Sequence, residues 1–87
     1  MNDIPEKYKK WHKLCFENET LLNSVKRCAC FYCGGRFDVS EIESWIEDKN
    51  GLTAQCPKCD IDSVIPAVID EKEVSDEELK IMGEYWF

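Results

Sequence analysis

Two Cys-x-x-Cys pairs constrain the fold of this chain more than any other feature. Cys30 and Cys33 form the first pair, Cys56 and Cys59 form the second, and 22 residues separate the two pairs. Each pair fits a tight backbone turn, here called a knuckle, whose amides can donate hydrogen bonds to the sulfurs. Two facing knuckles make the tetrahedral four-sulfur site that structural zinc prefers. Two disulfides or space-filling thiols are the alternatives, but the paired motif at this spacing favours one bound metal ion.

The length of the chain makes that metal important. The 87 residues suffice for one domain, and a domain of this size buries only about 60% of the surface of its unfolded chain. A structural zinc ion contributes about 10–16 kcal/mol of apparent binding free energy at neutral pH. The net stability of a typical domain is about 5–15 kcal/mol. We therefore expect the metal to decide whether the chain folds at all.

The amino-terminal sequence predicts the compartment. Residues 1–5 are polar and no apolar run follows them, so we expect no secretory signal. No stretch approaches the roughly 18 consecutive apolar residues of a membrane span, so no membrane partner is predicted. Six cysteines without a secretory signal indicate a reducing compartment, where thiols bind metals rather than pair. A cytoplasmic protein is the expectation.

The net charge of −7 is unevenly distributed. Residues 1–36 carry seven Lys and Arg against four Asp and Glu, whereas residues 37–87 carry four against fourteen. The acidic half argues against general binding to nucleic acid, which needs a basic surface. The basic side chains of the first half are expected to form a solvated helix face, with a local nucleic-acid contact as the alternative. These side chains are Lys7, Lys9, Lys10, Lys13, Lys26, Arg27 and Arg36.

Hydrophobic spacing and capping residues predict four helices. Two are expected before the knuckles, a short one between them, and one after them. The first two are residues 5–15, with Tyr8, Trp11 and Cys15 inward, and residues 19–26, capped by Asn18, with Leu21, Leu22 and Val25 inward. The third is opened by a capping box at Ser40 and Glu43 and directs Ile42, Trp45 and Ile46 inward. The fourth is residues 75–87, opened by a capping box at Ser75 and Glu78, with Leu79, Met82 and Trp86 inward.

Short strands are predicted around the knuckles. Residues 36–38 follow the first knuckle, residues 52–55 lead into the second, and residues 61–65 return from it. The turn at 48–51 contains Asn-Gly, which is a strong hairpin signal. The acidic stretch 67–74 is predicted to be irregular.

Together these elements predict an α+β, zinc-ribbon-like domain that spans residues 1–87. Residues 1–27 form a helical arm, residues 28–66 form the zinc-ribbon core, and residues 75–87 form a carboxyl-terminal helix packed against it. Within the core, a short helix and a hairpin connect the two knuckles.

The chain resembles a family of small bacterial cytoplasmic proteins that have no assigned function. The matching elements are Cys28-Ala29-Cys30-Phe31-Tyr32-Cys33, Glu41-Ile42, Trp45, Thr53-Ala54, Cys56-Pro57-Lys58-Cys59, Ile61-Asp62-Ser63-Val64-Ile65 and Tyr85-Trp86-Phe87. The likeness covers nearly the whole chain, and the block from residue 28 to residue 65 is its specific part. Members often carry Gly in place of Ala29 and of Asp60, a change that alters knuckle geometry slightly without removing a ligand. The resemblance implies a zinc-ribbon-like domain and supplies no reaction.

Cys30, Cys33, Cys56 and Cys59 are the predicted metal ligands, and they would hold one Zn²⁺ per chain. Four protein thiolates fill the coordination sphere, and zinc sites closed in this way are structural rather than catalytic. Cys28 could replace Cys30, but two cysteines with one residue between them make a poor knuckle. A small buried thiol is the expectation for Cys28.

Iron is the alternative metal. The sequences Cys33-Gly34 and Cys56-Pro57-Lys58-Cys59 are similar to the knuckles of rubredoxin, an electron carrier that binds iron through four thiolates. Asp60 stands where that pattern has a glycine after the second knuckle, and the flanking helices also depart from that small fold. Zinc is therefore the predicted cofactor.

No complete catalytic constellation is recognisable in the sequence. His12 is the sole histidine, and it is expected to be a packed or surface residue rather than a ligand or a base. Asp60 and Asp62 are two apart on a predicted strand and would point the same way, which makes them the one plausible acid–base pair near the metal. A solvated strand edge displays the same pattern. No enzymatic role and no small-molecule substrate are therefore predicted.

The sequence predicts a metal-stabilised module that binds another protein, with the acidic half facing a basic partner surface. Aromatic side chains often anchor interfaces. Trp45 is assigned to the core, whereas residues 85–87 remain open between a core role and a docking surface. A nucleic-acid-binding zinc ribbon, an iron electron carrier and a small metal-dependent enzyme are the alternatives.

Overall fold

The computed structural model describes residues 4–87, and residues 1–3 of the polar amino-terminal stretch lie outside that range. Over the described range the chain is an α+β protein with three α-helices and short antiparallel strands. In chain order the elements are α1 (Glu6–Lys13), α2 (Glu19–Val25), β1 (Arg27–Cys30), β2 (Arg36–Asp38), a single 3₁₀ turn (Val39–Glu41), β3 (Trp45–Asp48), β4 (Gly51–Ala54), β5 (Val64–Pro66), β6 (Val68–Ile69), β7 (Lys72–Glu73) and α3 (Asp76–Trp86). The predicted α+β class is confirmed.

An antiparallel sheet of three strands, in the order β2-β1-β5, lies at the centre of the fold. Its middle strand β1 pairs Cys28 with Phe37 of β2 and Cys30 with Val64 of β5. Successive side chains of a strand point to opposite faces, and each face of this sheet meets an apolar cluster. The sheet therefore separates a helical layer from a cysteine layer.

The helical layer packs α1 and α3 against one face of the sheet. Ala29 and Ile65 reach into it from β1 and β5, and the rings of Tyr8 and Trp11 meet edge to face with centroids 5.5 Å apart. Its buried residues are Tyr8, Trp11, Cys15, Ala29, Phe31, Ile65, Ala67, Val74, Leu79 and Met82. Helices shorter than about 12–15 residues are marginal in isolation, so this apolar burial is what stabilises α1 and α3.

The cysteine layer covers the other face of the sheet and contains α2, both knuckles and a separate hairpin of β3 and β4. In the hairpin, Trp45 lies opposite Ala54 and Asp48 lies opposite Gly51, so the predicted Asn-Gly turn is confirmed. The buried residues of this layer are Leu22, Cys28, Cys30, Phe37, Val39, Ile42, Ala54, Cys56 and Val64. Within residues 4–87 no strand ladder joins the hairpin to the central sheet, so other contacts hold the two together.

Asn18 supplies one of those contacts. Its side chain accepts a hydrogen bond from the Ala54 amide at 3.1 Å and donates one to the Val64 carbonyl at 2.9 Å. It also donates to the Leu14 carbonyl at 3.0 Å. Asn18 does precede α2, as predicted, but its side chain makes no capping hydrogen bond. The side chain instead links the hairpin to β5.

The helices predicted before and after the core are largely confirmed. α1 is shorter than the predicted range 5–15, so Cys15 lies beyond its end and is nevertheless buried. α2 ends one residue earlier than predicted. The capping box of α3 is present, because Ser75 Oγ accepts from the Glu78 amide at 3.0 Å and the Glu78 carboxylate accepts from the Ser75 amide at 2.9 Å.

The short helix predicted to start at Ser40 is wrong. The cap is Asp38, whose carboxylate accepts from the Ser40 amide at 2.9 Å, while Glu41 accepts from the Asp38 amide at 2.8 Å. This capping box opens only a single 3₁₀ turn, after which Trp45 and Ile46 lie in β3. Ile46 is consequently 37% exposed rather than directed inward.

The stretch 67–74 was predicted to be irregular, and this prediction is wrong. It forms a two-stranded antiparallel hairpin of β6 and β7, with Val68 opposite Glu73. Asp70 and Glu71 make its turn with positive φ values of 52° and 67°, as tight hairpins with two-residue loops require.

The strand predicted over 61–65 is shorter than expected. It begins at Val64. Ile61 instead belongs to the second knuckle, where its carbonyl accepts a hydrogen bond from the Cys56 amide at 2.9 Å. Asp60 and Asp62 therefore precede the strand, and Asp60 has a positive φ of 65°. The predicted pair of carboxylates on one strand face does not form.

Candidate metal centre

The two knuckles bring four cysteine sulfurs into one cluster. The Sγ atoms of Cys30, Cys33, Cys56 and Cys59 all lie within 4.8 Å of one another. The Cys30–Cys59 and Cys33–Cys56 Sγ–Sγ distances are both 3.7 Å. A regular tetrahedron with Zn–S bonds of about 2.3 Å has edges of about 3.8 Å, so this spacing suits one four-coordinate cation. It is far longer than the roughly 2.05 Å of a disulfide, and all six cysteines are unpaired.

The two knuckles contain the same type of backbone turn. The Cys30 carbonyl accepts from the Gly34 amide at 2.9 Å, and the Cys56 carbonyl accepts from the Asp60 amide at 2.8 Å. Both amide donors belong to residues with positive φ, 76° for Gly34 and 65° for Asp60. Glycine adopts this conformation freely, and aspartate is among the side-chain-bearing residues that tolerate it best. The lack of a glycine after the second knuckle therefore leaves its turn intact.

Backbone amides point at the sulfurs of both knuckles. The amides of Tyr32 and Cys33 lie 3.3 and 3.4 Å from Cys30 Sγ. The Lys58 amide lies 3.3 Å from Cys56 Sγ. Amide donors of this kind favour the charged thiolate over the neutral thiol, and the thiolate is the form that binds metal.

Ser63 is a site residue that sequence reasoning missed. Its side chain is fully buried, and its Oγ lies 2.9 Å from Cys30 Sγ. A hydroxyl donor beside a ligating thiolate fixes its orientation and offsets part of its charge. Ser63 follows Cys59 by four residues, but the local sequence does not reveal which sulfur it faces, because that contact depends on the pairing of β5 with β1.

Burial and nearby hydrogen bonds shift the pKa values of Cys33, Cys56 and Cys59. Burial is the main cause that raises the pKa of Cys56 to about 11, and it also raises the pKa of Cys59 far above the ordinary thiol value. Burial acts in the same direction on Cys33, but hydrogen bonds from the Gly35 amide and the neighbouring thiols outweigh it and lower its pKa. A cation must therefore displace protons from this site, so metal binding weakens as pH falls.

Cys15 and Cys28 lie outside the four-sulfur cluster. Burial raises the pKa of each thiol to about 12, so both stay protonated and unreactive at neutral pH. Cys28 Sγ is directed at the Lys26 carbonyl, 3.9 Å away. The geometry thus assigns Cys30, rather than Cys28, to the first knuckle.

His12 takes part in packing rather than in the cluster. Its ring stacks on Trp86 with centroids 4.1 Å apart and planes inclined by 8°. Burial lowers the pKa of His12, and the Asp62 carboxylate acts in the opposite direction. Neither these two residues nor Asp60 belongs to the four-sulfur group, so the acid–base role considered for them gains no geometric support.

Two basic residues of the first half are engaged in ion pairs with α3. Lys7 pairs with Glu78. Arg36 donates to the Asp76 carboxylate at 2.9 Å and to the Val74 carbonyl at 2.6 Å. These contacts pair two of the seven basic side chains of the first half with carboxylates of α3.

Comparison of the chain with protein-family models, curated proteins and solved structures finds no match in any of the three. Within residues 4–87, no helix has the length and apolar character needed to cross a membrane; the longest, α3, has 11 residues. The site itself therefore carries the argument for function.

Proposed function

We propose that this chain is a zinc-ribbon-like domain whose four-cysteine site holds one structural Zn²⁺, and that the domain is a protein–protein interaction module. The single observation that carries the metal assignment is the cluster of four sulfurs at tetrahedral spacing. Thiolates take all four positions of such a site, so none is left for water or substrate. The ion consequently has a structural role.

The ion would join two parts of the fold that share no strand ladder within residues 4–87. Cys30 ends β1 and Cys33 lies in the connection to β2. Cys56 and Cys59 follow β4 of the separate hairpin. Bonds from one cation to all four sulfurs would fix the hairpin to the central sheet. Because zinc binding is worth about as much as the net stability of a whole domain, folding and metal binding are coupled.

The surface supports an interaction role. Residues 37–87 carry four basic against fourteen acidic side chains, and complementary charge steers partners towards each other. Tyr32 and Phe87 are 54% and 61% exposed and lie against each other. Exposed aromatic side chains are the residues most often found at the energetic centre of interfaces. A protein with a basic surface is the partner class that fits both features.

Metal-dependent capture of a partner tests this proposal. The zinc-loaded chain and a variant with Cys56→Ser and Cys59→Ser are used as matched baits in lysate of the cells that make the protein. We expect a protein with a basic surface to bind the first bait only and to bind again when both components are pure, with affinity falling as salt rises. Equal capture by both baits, or no partner that binds in pure form, would contradict the interaction role.

Iron is the second candidate metal, because tetrahedral four-sulfur sites also suit iron. The two functions are separated by colour, since zinc has a filled d shell and its thiolate sites do not absorb visible light. We expect a colourless protein with one zinc per chain by native mass spectrometry. A red protein with a reversible reduction potential would instead establish an electron carrier.

A further inference from the structure

The four sulfurs of the metal centre differ in their exposure to solvent. Cys30 and Cys56 are fully buried, Cys59 is half-buried, and Cys33 is exposed. A cavity of about 310 Å³ borders Cys33 and Gly34. The space beside Gly34 is open, since a Cβ added there would meet no atom within 4 Å. A small molecule from solvent therefore reaches Cys33 more readily than the other three sulfurs.

Lys58 gives the exposed sulfur a basic neighbour. Its side chain lies over Gly35 beside Cys33, because a Cβ added to Gly35 would lie 2.5 Å from Lys58 Cδ and 3.3 Å from Cys33 Sγ. Cysteines that react with oxidants are typically thiolates that are accessible to solvent and close to positive charge. Metal binding keeps a ligating cysteine in the thiolate form. Cys33 therefore meets all three conditions when the proposed zinc site is occupied.

Cys56 is the sulfur best placed to react with an oxidised Cys33. The Sγ atoms of the two residues lie 3.7 Å apart. Cys30 belongs to the same cluster, but its sulfur is contacted by two backbone amides and by the Ser63 hydroxyl. Hydrogen-bond donors that stabilise a thiolate also make it a weaker nucleophile. Both the short distance and the lighter hydrogen bonding favour Cys56 over Cys30.

We propose that the metal centre is an oxidant-sensitive switch, in which hydrogen peroxide converts Cys33 and Cys56 into a disulfide and the zinc ion is released. This inference rests on the proposed zinc site. The Cys33 thiolate attacks one peroxide oxygen, the O–O bond breaks, and a sulfenic acid forms while hydroxide leaves. The Cys56 thiolate then attacks the Cys33 sulfur, the S–O bond breaks, and a second hydroxide leaves. Each hydroxide takes a proton from solvent and becomes water, so the two sulfurs together lose two electrons and one peroxide gains two.

The switch changes what connects the hairpin to the central sheet. After oxidation only Cys30 and Cys59 remain as thiols, and two ligands do not complete the four-coordinate site of structural zinc. The disulfide still joins the connection after β1 to the segment after β4. Oxidation therefore empties the site while the two parts of the fold stay linked. A reductant regenerates the four thiols, which can bind zinc again.

Treatment of the zinc-loaded, reductant-free chain with hydrogen peroxide tests the proposal. Zinc release is followed with a chromogenic indicator, and samples taken during the reaction are alkylated and mapped by mass spectrometry. We expect zinc to be released in step with a Cys33–Cys56 disulfide, and reductant added with zinc should reverse both changes. Cys15 and Cys28 are internal controls, since both are buried outside the cluster and should remain reduced throughout.

Two matched ligand variants separate the roles of the sulfurs. Cys33→His and Cys59→His each leave three thiolates and one imidazole, a ligand set that also holds structural zinc. Cys33→His should slow peroxide-driven zinc release by about tenfold or more. Cys59→His should release zinc at nearly the unmodified rate and still form the Cys33–Cys56 disulfide. The mapping in the unmodified chain does not depend on how well these variants fold.

Three results would overturn the switch. Zinc stays bound in excess peroxide, the first disulfide forms within one knuckle, or Cys33→His and Cys59→His release zinc at equal rates.

The outcomes also separate this inference from the proposed function. If native mass spectrometry finds no zinc before oxidation, the structural zinc site itself is wrong. If a partner binds only the zinc-loaded chain and the zinc is retained in peroxide, the interaction role stands and the switch is wrong. If zinc leaves through the Cys33–Cys56 disulfide but no partner binds the zinc-loaded chain, the switch stands and the interaction role is wrong.

Discussion

Replacing Asn18 with alanine should cost far more stability than its place before a surface helix suggests. The substitution leaves the Ala54 amide and the Val64 carbonyl without partners, and both hydrogen bonds are buried. A buried polar group that loses its partner costs about 1–3 kcal/mol. For the two groups together we expect a loss of about 2–6 kcal/mol, which lowers the melting temperature of a domain this small by about 10 °C or more.

Urea unfolding of the zinc-loaded chain at fixed free zinc measures this loss. Asn23→Ala is the matched control, because Asn23 is exposed, lies in α2 and donates to the Glu19 carbonyl at 2.9 Å. The control should change stability by less than about 0.5 kcal/mol. Hydrogen exchange gives a local readout, since the Ala54 amide should lose its protection only in Asn18→Ala. Equal stability of the two variants, with the Ala54 amide still protected, would refute the role assigned to Asn18.

Three further predictions concern α3, the metal site and the histidine. Gly83→Ala should destabilise the chain by about 1–3 kcal/mol in thermal unfolding, because its Cβ meets a backbone oxygen at 2.6 Å, although helix propensity alone predicts a gain of about 1 kcal/mol. Ser63→Ala should weaken zinc retention about 10–100-fold in chelator competition, because it removes the hydroxyl beside Cys30; unchanged retention would contradict this. The His12 pKa, measured by NMR, should lie below 6.5 because burial disfavours the charged ring, and Asp62→Asn should lower it further.

The lowered pKa of His12 also determines how its contribution to stability changes with pH. A folded-state pKa below the unfolded value means that the unfolded chain binds the proton more readily. The contribution of His12 is therefore complete above about pH 6.5 and is lost as pH falls through its lower folded value. His12→Phe or His12→Leu should remove that part of the pH dependence in unfolding experiments.

The candidate site was predictable because its signal is local. Cys-x-x-Cys at residues 30–33 and 56–59 specifies two turns whose sulfurs can share one ion whatever the surrounding fold. The same holds for the capping box at Ser75 and for the Asn-Gly turn, since each is decided within four residues.

Other features of the fold depend on a choice between competing local signals or on contacts between residues far apart in the chain. Two overlapping capping patterns start at Asp38 and Ser40, and the sequence offers no means to choose between them; β2 ends at Asp38 and so selects the first. The turn at Asp70 and Glu71 lacks the glycine that signals a tight hairpin. The role of Asn18 depends on groups 36 and 46 residues away, and no local pattern encodes such contacts.

Removal of the metal tests the central claim most directly. The purified chain is weighed by native mass spectrometry and is then followed by circular dichroism during thermal unfolding, before and after exhaustive chelation under reducing conditions. The account predicts one zinc per chain, cooperative unfolding with the metal, and loss of the cooperative transition without it. A chain that stays ordered and unfolds cooperatively after all metal is gone would contradict the claim that the four sulfurs and their ion hold this fold together.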